Sequence, residues 1–103
     1  MIAPEAVLRA YPRPPMARIT IELFGIARRR AGLAAADIDA ATLGEALRAL
    51  AARHPLLEGE VVRDGAVVAP WRVSLEGIRF LTDGAEPLVE GTRLVVLSSL
   101  AGG

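Results

Sequence analysis

The sequence predicts an α+β domain in which a sheet packs on one main helix, and three observations carry that expectation. The segment Arg18-Ile19-Thr20-Ile21-Glu22-Leu23-Phe24 alternates strictly, placing Ile19, Ile21 and Leu23 on one face of a strand. Between Thr42 and His54, apolar residues recur at helical spacing instead. The last run, Arg93 to Ser98, is apolar on both faces, with Leu94 and Val96 against Val95 and Leu97, and such a strand is usually central in its sheet.

In chain order, residues 1–15 come first and hold four of the seven prolines (Pro4, Pro12, Pro14, Pro15). Proline fixes φ and lacks an N–H, so this leader is expected to be neither a continuous helix nor a strand. It is either a mobile arm or an extension upstream of a true start at Met16. The alternating strand follows at once. Gly25 to Gly32 reads as a loop with room for one helical turn, carrying Arg28-Arg29-Arg30, and Ile38 marks a short second strand. Thr42-Leu43-Gly44-Glu45 matches a capping box, in which Thr accepts from the backbone N–H three residues on and Glu reaches back. Leu43, Ala46, Leu47, Leu50 and Ala51 then form one apolar stripe, and Pro55 ends a helix of about three turns. A single stripe predicts packing on one side of a sheet.

Beyond the helix, Asp64-Gly65 inside Val61-Val62-Arg63-Asp64-Gly65-Ala66-Val67-Val68 is a type I′ hairpin signal. Trp71 to Leu75 alternates, Glu76-Gly77 turns, and Ile78 to Leu81 returns; Asp83-Gly84 and Glu90-Gly91 mark further turns before the last strand. The expected organisation is a leader over 1–15, a folded domain over 16–97 and a flexible tail over 98–103.

Composition narrows the function classes. The chain has 103 residues, 52% of them apolar, enough for one core in one domain. Twelve basic residues, all Arg, balance twelve acidic ones, which argues against a general nucleic-acid binder held by phosphate contacts. No apolar run approaches the roughly 18 residues of a membrane span, and the first 15 residues lack the apolar stretch of a signal peptide, so a cytoplasmic protein is the expectation. With no Cys there is no disulfide, no thiolate nucleophile and no cysteine metal site. One histidine, His54 at the helix end, and scattered carboxylates do not assemble a metal site either. The Arg28-Arg29-Arg30 run reads as a solvated face, with an acidic partner or a phosphate as the alternative.

With no self-contained active site in view, the chain end draws attention. Ser98-Ser99-Leu100-Ala101-Gly102-Gly103 runs straight out of the apolar strand. Glycine near 7% of an average chain gives a diglycine end by chance at roughly 0.5%, and glycine has no side chain to bury. A slim tail of this kind suits threading a free carboxylate into a narrow site on another protein. On the sheet, Phe24 is expected to face away from the Ile19/Ile21/Leu23 side. A single helix also leaves part of the other sheet face apolar, which usually marks a partner site. Phe24, Phe80 and Leu97 are the docking candidates; a dimer contact or the Glu60–Ala69 segment could instead cover that face.

Taken in order, these pieces resemble the MoaD/ThiS family of ubiquitin-like sulfur carriers over Ala17 to Gly103. The resemblance lies in the opening strand with Leu23-Phe24-Gly25-Ile26-Ala27-Arg28-Arg29-Arg30-Ala31-Gly32 and the helix from Thr42 to Pro55. Its last part is Pro87-Leu88-Val89-Glu90-Gly91-Thr92-Arg93-Leu94-Val95-Val96-Leu97 with the Leu100-Ala101-Gly102-Gly103 end. It implies a ubiquitin-like β-grasp, a mixed sheet on one main helix. It also implies that Gly103 is the working residue, with Leu100, Ala101 and Gly102 threading into the partner. A MoeB/ThiF-like adenylyltransferase using ATP and Mg²⁺ would turn the Gly103 carboxylate into an acyl-adenylate, and a sulfur donor would convert that to a thiocarboxylate. The chain itself would bind no cofactor. The sulfur acceptor would be a molybdopterin synthase large subunit or another enzyme.

Two departures bear on the subtype: Ser98-Ser99 stands where molybdopterin-synthase small subunits often have Pro-Pro, and Glu76-Gly77 where they often have Asn-Gly. The stretch between Pro55 and Trp71 is longer than in compact thiamin-pathway carriers. Carriers for cysteine or thio-tRNA synthesis stay open, as does a protein modifier joined through Gly103 to lysines of other proteins. The absence of lysine in this chain excludes ordinary lysine-linked chains of itself. A β-grasp interaction module with an idle diglycine is the third reading.

Overall fold

The computed structural model describes residues 15–100. Seven strands and two α-helices follow in the order β1 (Ala17–Leu23), α1 (Gly25–Ala31), β2 (Ala35–Ala40), α2 (Leu43–Arg53), β3 (Val62–Arg63), β4 (Ala66–Val67), β5 (Trp71–Leu75), β6 (Arg79–Leu81) and β7 (Arg93–Ser98), with a 3₁₀ turn at Pro55–Leu57. Five strands make one sheet in the order β2-β1-β7-β5-β6, and β3 and β4 form a separate two-stranded sheet. β1 and β7 are parallel; every other pairing is antiparallel. The result is a mixed sheet with α2 on one face, the α+β β-grasp arrangement.

The strand period places Ile19, Ile21 and Leu23 of β1 beside Leu94 and Val96 of β7, all buried against Leu43, Leu47 and Leu50 of α2. Fully burying such side chains contributes about 1.5–3 kcal/mol each. α2 starts where the sequence predicts: the Thr42 hydroxyl accepts from the Glu45 N–H at 3.3 Å, and Glu45 accepts from the Ala41 N–H at 3.4 Å. Its first two N–H groups, those of Leu43 and Gly44, donate to the Glu86 and Gly84 carbonyls at 2.9 Å, so the loop before β7 satisfies the open end of the helix. His54 caps the far end by donating its backbone N–H to Leu50, and Pro55 opens the 3₁₀ turn.

Three expectations need correction. Gly25 to Gly32 is not a loop but two turns of helix, closed by Gly32 in the left-handed region at φ 77 with its N–H on Arg28. Only Ala27 of this helix is buried, so the segment is too short to show an apolar period. The return strand starts at Arg79 rather than Ile78, which is 84% exposed. β7 is central as expected, yet only Leu94 and Val96 are buried while Val95 and Leu97 are half-exposed, because α2 covers a single sheet face. The Ile38 strand is present, its Ala36, Ile38 and Ala40 pointing inward between exposed Asp37 and Asp39. The Asp64-Gly65 hairpin also forms, with both residues at positive φ (52 and 75) as a type I′ turn requires.

Candidate functional site

The sheet aims the C-terminal segment. β7 is bonded to β1 on one side and β5 on the other, so its path is held from both flanks. Its last residue, Ser98, pairs with Trp71. Ser99 is then tied to Pro70 twice: its N–H donates to the Pro70 carbonyl at 2.8 Å and its hydroxyl donates to the same oxygen at 3.0 Å. The Leu100 N–H donates to the Ser98 hydroxyl at 3.0 Å, and the Leu100 side chain is exposed. Both serine hydroxyls therefore serve the backbone. Ala101, Gly102 and Gly103 lie outside the described residues.

The face of the sheet opposite α2 divides into two halves. Register places Arg18, Thr20 and Glu22 of β1 beside Asp39, Asp37 and Ala35 of β2, with Arg93 next to Thr20. This half is a charge ladder: Arg18–Asp39 at 3.1 Å, Thr20 to Asp37 at 2.7 Å and Arg93–Glu22 at 3.2 Å. The other half mixes apolar side chains with Arg72 and Ser74 and adjoins Ser98 at the end of β7. Leu97 pairs with Arg72, Val95 with Ser74, and Ser74 with Phe80, so all five lie on the face away from α2, with Ser74 itself buried. Phe24 is extended (φ −129, ψ 159) one residue beyond Leu23, which pairs with Val96, so strand parity carries it to the Leu97 end of the same face. Phe24 and Phe80 are 42% and 46% exposed, large fractions for rings.

The structure thus brings Phe24, Phe80 and Leu97 onto one surface. The Glu60–Ala69 segment does not cover it, because β3 and β4 pack against α2 on the other side. Sequence reasoning missed Arg72, whose guanidinium lies 3.7 Å from the centre of the Phe80 ring. The signal was present: alternation in Trp71-Arg72-Val73 points Arg72 outward while Trp71 and Val73 are buried. The arginine run splits three ways. Arg28 sits 5.2 Å from the centre of the Phe24 ring and donates to the Leu23 carbonyl, Arg30 pairs with Glu60 at 2.8 Å, and Arg29 is exposed. On the α2 side a groove of about 600 Å³ runs between α2 and β5, lined among others by Leu43, Leu47, Val67, Trp71, Leu81 and Ser99. No group of three or more His, Asp or Glu among the described residues could hold a metal ion, and no described helix is long and apolar enough to cross a membrane.

Solved structures with the same arrangement place the chain. The crystal structure of SAMP1 from Haloferax volcanii matches at 28% identity and a TM-score of 0.72, covering 84% of this chain and 100% of that one. The chain has the ubiquitin-like β-grasp fold and is similar to this small archaeal modifier protein. The small archaeal modifier protein 1 of Methanosarcina acetivorans has the same fold, at 19% identity, a TM-score of 0.73 and coverage of 85% and 98%. So has a protein assigned as molybdopterin converting factor subunit 1 from Pyrococcus furiosus, at 19% identity, a TM-score of 0.65 and coverage of 82% and 99%. No protein-family model and no curated protein matches the sequence.

Proposed function

We propose that this β-grasp protein is a sulfur carrier working through the Gly103 carboxylate. A carboxylate is a poor electrophile until one oxygen becomes a good leaving group. The carboxylate attacks the α-phosphorus of ATP on a MoeB/ThiF-like adenylyltransferase, giving acyl-AMP and releasing pyrophosphate. A sulfur donor then displaces AMP and leaves a thiocarboxylate, whose sulfur passes to an acceptor enzyme. ATP and Mg²⁺ belong to the adenylyltransferase. Molybdopterin synthesis, with a molybdopterin synthase large subunit as acceptor, is the leading destination, in keeping with the Pyrococcus furiosus likeness. Leu100, Ala101 and Gly102 thread into the partner, which docks on the open face through Phe24, Phe80 and Leu97.

The observation that carries this reading is the tail's support. A doubly paired central strand and the Ser99–Pro70 tie carry the described chain out to Leu100 next to the exposed Phe24 and Phe80 rings, and Gly-Gly follows two residues later in the sequence. Carriage by a cytoplasmic pathway fits the absence of cysteine. A second reading, a protein modifier joined through Gly103 to lysines of other proteins, is favoured by the higher identity to a small archaeal modifier protein, 28% against 19% for the converting-factor subunit. Intact mass after incubation with the adenylyltransferase, ATP and a sulfur donor distinguishes the two. The carrier gains the mass of one sulfur less one oxygen, the modifier appears in lysine adducts, and deletion of Gly103 removes either product. Unchanged function after that deletion would sink both.

A further inference from the structure

The arginines of the open face are not equivalent. In the charge ladder, Arg18 is neutralised by Asp39, and Arg93 by Glu22 and Glu76. At the sheet edge, Arg79 is neutralised by Glu86. In the mixed half, Arg28 and Arg72 have no carboxylate partner among the described residues; each lies over an aromatic ring, Phe24 and Phe80 respectively. A guanidinium over a ring can still offer N–H groups to a partner, all of them at Arg72 and the terminal NH₂ groups at Arg28, whose Nε–H donates to the Leu23 carbonyl; the ring contact holds the long side chain in place before any partner arrives. Less ordering entropy is then lost on binding.

These two cations flank Leu97. Arg72 sits on β5 directly opposite Leu97, while Arg28 lies over Phe24 at the end of β1, on the other side of β7. Neighbouring strands are about 4.8 Å apart, so the two flanks of β7 stand on the order of 10 Å from each other. We propose that the open face recognises an acidic protein surface: an apolar ridge that covers Leu97 and Phe80, with a carboxylate on either side, one for Arg28 and one for Arg72. Charge complementarity selects this occupant. A basic surface would meet two uncompensated cations, and a purely apolar one would bury them unpaired. The proposal rests on the docking-face reading above and adds the partner's chemistry to it.

The experiment measures binding of the full chain to the MoeB/ThiF-like adenylyltransferase of the same genome over a range of salt concentrations. Arg28→Gln, Arg72→Gln, the control Arg93→Gln and the apolar variant Leu97→Ala are compared after thermal unfolding has shown each to be folded. Arg28→Gln and Arg72→Gln are each expected to raise Kd about 5- to 30-fold and to flatten its salt dependence. Arg93→Gln, whose parent charge is already neutralised within the chain, leaves both readouts near the parent values. If Leu97→Ala weakens binding while the two Arg variants bind like the parent at every salt concentration, the acidic-partner proposal is overturned and the docking face stands. If Leu97→Ala also binds like the parent, both fail.

Discussion

Removing Ala101 while keeping the Gly102-Gly103 end shortens the chain beyond Ser99, and its cost can be worked out from the hydrogen bonds that hold Ser99. Among the described residues, the last tie between the tail and the rest of the domain is Ser99 on Pro70. From there Leu100, Ala101, Gly102 and Gly103 reach at most about 13–14 Å, since each extended residue spans ~3.3–3.6 Å. The deletion withdraws the carboxylate by one such step. Displacements near 1 Å already cost about 100-fold where reacting atoms must be aligned. The chain can recover the lost step by releasing Ser99 from Pro70, which gives up two hydrogen bonds. At about 0.5–1.5 kcal/mol each, release costs ~1–3 kcal/mol, or roughly 5- to 150-fold in kcat/KM for adenylation. ATP–pyrophosphate exchange with the adenylyltransferase reads that number, and thermal unfolding should show an unchanged Tm because the ties up to Ser99 are kept. Parent-like exchange by the shortened chain would refute the idea that Ser99 sets how deep the tail threads.

Two further predictions concern the scaffold. Thr42→Ala removes the hydroxyl that accepts from Glu45 and should destabilise the domain by about 1 kcal/mol, lowering Tm by roughly 4–8 °C in a thermal scan; no shift would mean the cap carries no stability here. Gly65→Ala should cost more than Gly32→Ala in urea unfolding. Both residues are at positive φ, worth about 1–2 kcal/mol for an L-residue, but only at Gly65 would the new Cβ fall 2.9 Å from Arg48 and 3.1 Å from the Gly44 carbonyl. Equal costs would mean that backbone strain alone decides.

Periodicity and capping made most of the scaffold legible in the sequence. Alternation alone identified β1 and β5, since a half-buried strand must place every second side chain inward. The Thr42–Glu45 pair and the stripe from Leu43 to Ala51 located α2, and Asp64-Gly65 located its hairpin, because few residues tolerate positive φ at both turn positions. α1 escaped notice because a two-turn helix with one buried residue has no period to display, and the exposed side of β7 escaped because apolar residues on both faces look the same whether or not a second layer covers them.

Within the candidate site, the Gly-Gly end and the residues Phe24, Phe80 and Leu97 could be named from sequence. Their assembly could not. Leu97 meets Arg72 across 25 positions and Phe24 reaches that surface from the far end of β1, contacts that exist only through the β1-β7-β5 order. By itself the sequence determined most of the strands and the main helix, since these depend on local steric preference and side-chain period. Only the tertiary structure decided which sheet face stays open, where Ser99 is tied, and which arginines are left with a ring instead of a carboxylate. Those outcomes depend on pairing between residues far apart in the chain, which no local pattern records.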